Sequence, residues 1–508
     1  MGFSLFCGAH VFLFSNLVTT MTSIGLDTKS DPSEGLKHST TVGSITYVSP
    51  EESRSVRRKV DLILLPILGF CYFLQFLDKQ TLSYASLLGM IEDTHLAGTQ
   101  FSWTGSIFYF GFIFWSYPTM YLSVRLPIGK YLGATVFVWA AILMCHAACH
   151  SFTGLMITRF FLGAFEASIA PGFSLITGMW YTRRQQPLRY GLWFAGGSMA
   201  TLFGGLLSYG IGHIDGGSVA AWQYLFLIFG AVTAVWGIVM LIFLPDTPAR
   251  TFWLTSDERS TILHNVMADG QAGTKSSYKF SQVLEAFRDP VTWCLSLYSF
   301  CVNIANGGLT TFGSLVVQGF GFKGLEALLI QMPTGAAQLF FVIASAVLCS
   351  TFPNIRTLTM MALTLISLLG MVLMYALPDR NQAGRMAGFC LSLAFSANMP
   401  LAMSLITSNV RGLTKRAVIN ACVLVMYCVG NIVGPQFFSV DEAPRYERGI
   451  TASLCGFGLG FFWILVLRLY LQWQNKKRAG EVELDMPQEM LLLEDRTDWE
   501  TPGCKYVV

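Results

Sequence analysis

The sequence predicts an all-α membrane protein with twelve transmembrane helices in two six-helix halves, and three observations carry that prediction. Of the 508 residues, 53% are hydrophobic and only 12% charged, with a mean hydropathy of +0.52. A soluble domain carries about twice that charged fraction, so a water-exposed surface is beyond this composition. The chain also holds twelve apolar runs approaching the roughly 20 residues that cross about 30 Å of hydrocarbon. A single long polar stretch, 245–290, divides those runs six and six.

Taken in order, the runs of the first half are 60–88, 103–122, 132–149, 152–180, 190–213 and 222–244. Those of the second are 291–318, 325–349, 358–377, 385–408, 418–440 and 450–473. Basic residues orient them, because Lys and Arg accumulate on the cytosolic side. Arg54, Arg57, Arg58 and Lys59 precede the first run, and Arg125, Lys130, Arg183, Arg184, Arg189, Arg356, Arg411, Lys415 and Arg416 fall in connections on that same side. With an even number of runs, both termini are expected in the cytosol.

The organisation that follows is a tail at 1–56, a six-helix half at 57–244, a cytosolic central loop at 245–290, a second half at 291–473 and a cytosolic tail at 474–508. Within the first tail, the apolar run 3–17 is short for a span, and the Ser/Thr-rich 19–49 has the composition of a disordered segment. The last tail turns acidic and is expected to be disordered as well. Two halves around a central loop are the layout of a carrier that works by alternating access.

Composition narrows the function class further. The net charge of +3 gives no reason to expect nucleic acid. The twelve cysteines are scattered mostly singly through apolar runs, which is how small apolar residues behave rather than a disulfide framework. Cys145, His146, Cys149 and His150 have a spacing that suits a soft metal, but nothing near them completes a ligand set, and no metal or cofactor is expected. An enzyme is not expected either, since no nucleophile, base and orienter appear together.

The chemistry lies in ionisable residues within the runs, each of which costs at least about 2.5–3.5 kcal/mol on insertion scales and is a functional candidate for that reason. The first run carries Asp78 and Lys79, and the fourth carries Arg159 and Glu166. Arg159 and Glu166 are seven positions apart, two helical turns and about 10 Å of rise, so they share a face. If the two helices meet at a central chamber, two acids and two bases lie together in a low-dielectric site, where a carboxylate that loses its cationic partner takes up a proton. The bland alternative is a pair of ion pairs that pin helices. The second half offers uncharged polar groups: Asn303, Asn306, Asn398, Tyr427 and Asn431. These suit hydrogen bonding to a substrate or gluing of helices.

The stretch LQFLDKQTLSYAS (74–86) resembles the first-span signature of the anion:cation symporter branch of the major facilitator superfamily. FSWTGSIFYFGFIFWSYPTMYLSVRLPIGKYLG (101–133), RFFLGAFEASIAPGFSLITGMWY (159–181), LPDTPARTFWLTSDER (244–259), SNVRGLTKR (408–416) and GNIVGPQFF (430–438) narrow the resemblance to the fungal allantoate permease family. The likeness runs from about 57 to 473 in several long blocks.

It implies the major facilitator fold and proton-driven import of a small organic anion, such as a carboxylate, ureido acid, vitamin or sulfonate, across the plasma membrane by a monomer in the lipid bilayer. The proton is then the coupling ion. The resemblance puts the proton-coupling acids at Asp78 and Glu166 and the bases that meet the substrate at Lys79 and Arg159. Tyr109, in the second-span block, joins Asn303, Asn306, Asn398, Tyr427 and Asn431 as a substrate-binding candidate. Lys79 stands where many members have Arg, and Thr81 where many have Asn, so a point charge replaces a bidentate fork. The acid that the superfamily carries between spans two and three is missing from SVRLPIGK (123–130). A proton-coupled exporter and a nutrient receptor without transport remain the alternatives.

Overall fold

With no water in hydrocarbon to satisfy backbone N–H and C=O groups, the chain must bond to itself as helix. The structure is a computed structural model that describes residues 50–182, 185–214, 219–268, 279–322, 324–352, 354–479, 496–501 and 505–508. The run at 3–17 and the segment 19–49 lie outside the described residues.

Helices 1 to 6 are Pro50–Leu87, Gln100–Arg125, Ile128–Cys145 extended by the 3-10 turn His146–Ala148, Phe152–Glu166 with Ile169–Trp180, Gln186–Gly212, and Ala221–Phe243. Helices 7 to 12 are Pro290–Gly319, Glu326–Leu329 with Met332–Thr351, Arg356–Ala376, Gln382–Ser392 with Asn398–Asn409, Leu413–Val433, and Glu447–Arg478. Among the described residues ten of these twelve are long and apolar enough to cross a membrane. Helices 2 and 5, at 26 and 27 residues, have the length but dilute their apolar content with glycine, serine and tyrosine.

Two boundaries differ from the sequence reading. Helix 1 begins at Pro50 rather than at 57, because the basic cluster continues the helix beyond the apolar run. The expectation of a disordered tail after helix 12 fails for 496–501 and 505–508, where Asp498 is 1% and Tyr506 5% exposed; ion pairs and amide hydrogen bonds hold these residues to the second half.

The fourth helix of each half is broken at the same place. In helix 4 the chain leaves the helix after Glu166 and resumes at Ile169, with Pro171 in the third position of the new segment. In helix 10 the 3-10 segment Leu393–Ala397 intervenes, and Pro400 holds the third position of Asn398–Asn409. Proline offers no N–H to the carbonyl four residues back and crowds it, so each break sits one turn before its proline. Glu166 therefore ends a helical segment in mid-bundle.

Lipid chains are as apolar as leucine, so helices associate through close packing of small residues. Helices 2 and 4 cross with Gly111 against the carbonyl of Phe160 and Gly163 against that of Phe108, where an added Cβ would collide with backbone oxygen. Overpacking of this kind costs about 1–3 kcal/mol. Gly163→Ala is therefore expected to lower the unfolding temperature of the detergent-purified protein, whereas Gly178→Ala, where a Cβ meets open space, is expected to leave it unchanged.

The central loop folds back onto the end of the molecule that holds residues 50 and 478. Its helix Ser256–Ala268 reaches helix 1 through Lys59 Nζ to Glu258 at 2.8 Å, and its second helix, Phe280–Arg288, precedes helix 7. Asp246 Oδ1 accepts from the N–H groups of Gly129 (3.0 Å) and Lys130 (3.2 Å) at the start of helix 3, where the helix dipole favours a negative charge.

At the opposite end the halves touch. Ser83 Oγ lies 3.0 Å from Ser314 Oγ, Ser102 Oγ donates to the carbonyl of Phe438 at 2.7 Å, and Ser106 Oγ donates to that of Ile432 at 2.7 Å. These inter-half hydrogen bonds all lie away from the end bearing residues 50 and 478.

Candidate functional site

Consecutive residues on a helix point about 100° apart, and helix 1 uses that step to separate Asp78 from Lys79. Asp78 is fully buried inside the first half, where Oδ2 accepts from Trp139 Nε1 of helix 3 at 2.8 Å and from Thr233 Oγ1 of helix 6 at 3.5 Å. Its Oδ1 has no hydrogen-bond partner among the described residues. Lys79 instead faces helix 2 and the second half. Its ammonium lies 5.2, 5.3 and 5.8 Å from the ring centroids of Phe76, Phe108 and Phe112, and it is within electrostatic reach of Glu166 and of Cys428 in helix 11.

Arg159 is 2% exposed, lies 5.9 Å from the ring centroid of Phe226, and has Nε and Nη2 without hydrogen-bond partners among the described residues. Its charged neighbours Glu166 and Asp78, and the Phe226 ring beside it, belong to the first half. Glu166 is fully buried with both carboxylate oxygens unpartnered among the described residues, while its backbone carbonyl accepts from Gln75 Nε2 at 3.1 Å. It is the shared member of the set, within electrostatic reach of Lys79 on one side and Arg159 on the other. Glu166 is thus within electrostatic reach of both bases, with Asp78 bonded inside the first-half bundle and Lys79 beside the rings of helices 1 and 2 and within reach of Cys428 in helix 11.

Tyr109 and Tyr427 meet across the halves, with ring centroids 6.1 Å apart and planes at 70°. Both lie within electrostatic reach of Glu166. The asparagines are placed otherwise. Asn431 Nδ2 donates to Asn303 Oδ1 (3.1 Å) and to the Tyr427 carbonyl (2.8 Å), and Asn431 Oδ1 accepts from Asn306 Nδ2 (2.8 Å). Asn303 Nδ2 donates to the Ser299 carbonyl at 2.7 Å. This network joins helices 7 and 11 and occupies both N–H groups of Asn431 and one each of Asn303 and Asn306. Asn398 bonds the Met360 carbonyl (3.3 Å) and Thr364 Oγ1 (3.1 Å) of helix 9; it is not brought to the charged set.

The sequence reading did not single out Trp139, Thr233, Cys428 or the three phenylalanines around Lys79. Each is an ordinary apolar or small residue by pattern, and only the helix rotations reveal what it faces. The soft-metal spacing disperses: His146 is buried, stacked on Phe226 with centroids 5.0 Å apart and bonded through Nδ1 to the Ile142 carbonyl at 3.0 Å, while Cys145 is exposed.

The chain matches the Major Facilitator Superfamily over residues 68–435. It is 34% identical to the thiamine pathway transporter THI73 of Saccharomyces cerevisiae, over 91% of this chain and 88% of that one. It is 28% identical to the allantoate permease of the same yeast, again over 91% and 88%. The partially occluded, inward-open structure of the xylose transporter XylE from E. coli superposes with a TM-score of 0.61 at 12% identity, covering 80% of this chain and 98% of that one. That likeness shows the fold. With both six-helix halves and a match across more than half its length, the chain is a multi-pass membrane transporter, not an enzyme, and belongs to the Major Facilitator Superfamily.

Proposed function

We propose that the protein is a proton-coupled symporter that carries a small organic anion, a carboxylate, ureido acid, vitamin or sulfonate, into the cell across the plasma membrane. The observation that carries this reading is the position of Glu166, unpaired and buried, between a cation that faces the second half and an acid–base pair sealed in the first. A proton on Glu166 leaves Lys79 without a carboxylate partner, and the ammonium is then free for an anionic substrate. When the substrate leaves, Lys79 draws the ionised carboxylate back and the proton is released.

The aromatic walls strengthen the pairing. Phe76, Phe108 and Phe112 keep water from the ammonium, and a charge in such a setting attracts an anion more strongly than it does in bulk water. Tyr109 and Tyr427 add hydroxyl donors at the same level. The name of the relative allantoate permease fits an anion as cargo. Asp78, held by Trp139 and Thr233, is assigned to keep Arg159 in place and to share its charge with Glu166.

A thermal-shift screen of purified protein against carboxylates, ureido acids, vitamins and sulfonates identifies the substrate, and uptake into proteoliposomes under an imposed pH gradient then tests coupling and direction. In the same assay Lys79→Met is expected to raise KM at least about 30-fold, since losing one side of a desolvated charge pair costs 2 kcal/mol or more. An unchanged KM would remove Lys79 from the site. Accumulation outward rather than inward would favour an exporter, and binding without flux a receptor.

A further inference from the structure

Residues 496–501 and 505–508 hold the second half in the manner of a bound peptide. Asn409, at the end of helix 10, takes both main-chain groups of Val507: Nδ2 donates to its carbonyl at 2.8 Å and Oδ1 accepts its N–H at 2.7 Å. Asn475, near the end of helix 12, does the same to Tyr506, both at 2.8 Å. Neighbouring residues of an extended chain present their N–H and C=O pairs to opposite edges. Two asparagines on two helices therefore grip one extended segment from both sides, by its backbone.

The side chains of the segment are engaged as well. Asp498 is 1% exposed; Oδ1 meets Lys415 Nζ at 2.8 Å and the N–H of Arg411 at 3.4 Å, while Oδ2 accepts from Tyr506 Oη at 2.7 Å. Trp499 places its ring 4.9 Å from the Lys415 ammonium, and the Arg478 guanidinium lies 4.7 Å from the ring centroid of Tyr506. Thr497 and Glu500 cap each other's N–H at 3.2 and 3.0 Å, a reciprocal capping box that shapes the turn carrying Asp498. Lys415, wholly buried, already holds Glu285 at 2.9 Å and Asp289 at 2.8 Å, so the receiving site keeps a partnered cation when Asp498 leaves.

We propose that this face of the second half is a peptide-binding site, that residues 496–501 and 505–508 are its exchangeable internal ligand, and that their docking restrains the ends of helices 10 and 11. The segment's partners Asn409, Arg411, Lys415, Asn475 and Arg478 lie on or between helices 10, 11 and 12 of the second half. The segment is thus not a bolt between halves but a brace across the ends of helices 10, 11 and 12, at the end where the described inter-half hydrogen bonds are missing. Helix 10 carries the Pro400 break and helix 11 carries Tyr427, so the restraint falls on elements that reach the candidate site. The inference does not depend on proton coupling.

The test uses the full chain in detergent with a fluorescein-labelled synthetic peptide of residues 496–508. An Asp498→Ala/Trp499→Ala variant, whose own segment is released, is expected to bind the peptide saturably. The unaltered chain, whose tethered segment competes at an effective concentration of about millimolar, is expected to bind at least about 10-fold more weakly. Asn409→Ala/Asn475→Ala, which removes the grip and leaves the segment intact, is expected to bind none. Hydrogen exchange of 405–416 is expected to quicken at least about 10-fold in the released variant and to slow again when peptide is added. Equal binding by the unaltered and released chains, no binding by the released chain, or unchanged exchange would each overturn the proposal.

Discussion

Glu166→Gln is expected to abolish gradient-driven accumulation while leaving counterflow intact. For one-to-one coupling, each unit of pH gradient is worth about 1.4 kcal/mol and about 10-fold accumulation, so liposomes carrying the unaltered protein fill well above the external concentration and those carrying the variant stop at equality. The amide preserves shape and mimics the protonated acid, so Lys79 stays available and substrate exchange across the membrane continues. The pH dependence follows with a definite sign. In the unaltered protein uptake falls as external pH rises, because loading requires the proton on the acid; in Glu166→Gln the rate is flat over the same range. Accumulation that survives the substitution would move the coupling site elsewhere, with Asp78→Asn the next variant to measure.

Much of this was legible in the sequence, for reasons that differ by residue. The two-halved layout follows from apolar run lengths and one polar loop, and the buried charges stand out because hydrocarbon makes them costly. The helix breaks one turn before Pro171 and Pro400 were not drawn from the sequence, which treats 152–180 and 385–408 as continuous runs. What the sequence withholds is rotation. The 100° between Asp78 and Lys79 sends one into the first-half bundle, onto Trp139, and the other toward Phe108 and Phe112; no pattern in a helix apolar on nearly every face reveals which. The asparagines illustrate the same limit, since amides suited to a substrate are equally suited to one another, and Asn303, Asn306 and Asn431 chose each other. The docking of 496–508 was hidden for a different reason. Its composition is that of a solvated tail, and its fixed place depends on partners at 409, 415 and 475 that are distant in sequence.

Arg159→Met is expected to have the largest effect on stability of any single change in the site. Burying Asp78 and Glu166 without Arg159 leaves two like charges in the first half with only Lys79 nearby, and losing one partner of a buried ionic set costs about 3–5 kcal/mol. The yield of monodisperse protein and its unfolding temperature are both expected to drop sharply. Arg159→Lys keeps the charge but shortens its reach and loses the planar fork, and is expected to fall between. The informative variant is the double one. Adding Asp78→Asn to Arg159→Met removes an anion with the cation and leaves Glu166 balanced by Lys79, so the pair is expected to be more stable than Arg159→Met alone, with a coupling energy of about 1–3 kcal/mol in the cycle. A double variant as damaged as the sum of its parts would mean that Asp78 and Arg159 do not share their charge, and Asp78 would then be an acid held by Trp139 and Thr233 alone. Recovered stability without recovered pH-driven uptake would separate the two roles of the cluster: Arg159 as the cation that lets two acids be buried, and Glu166 as the acid whose proton moves.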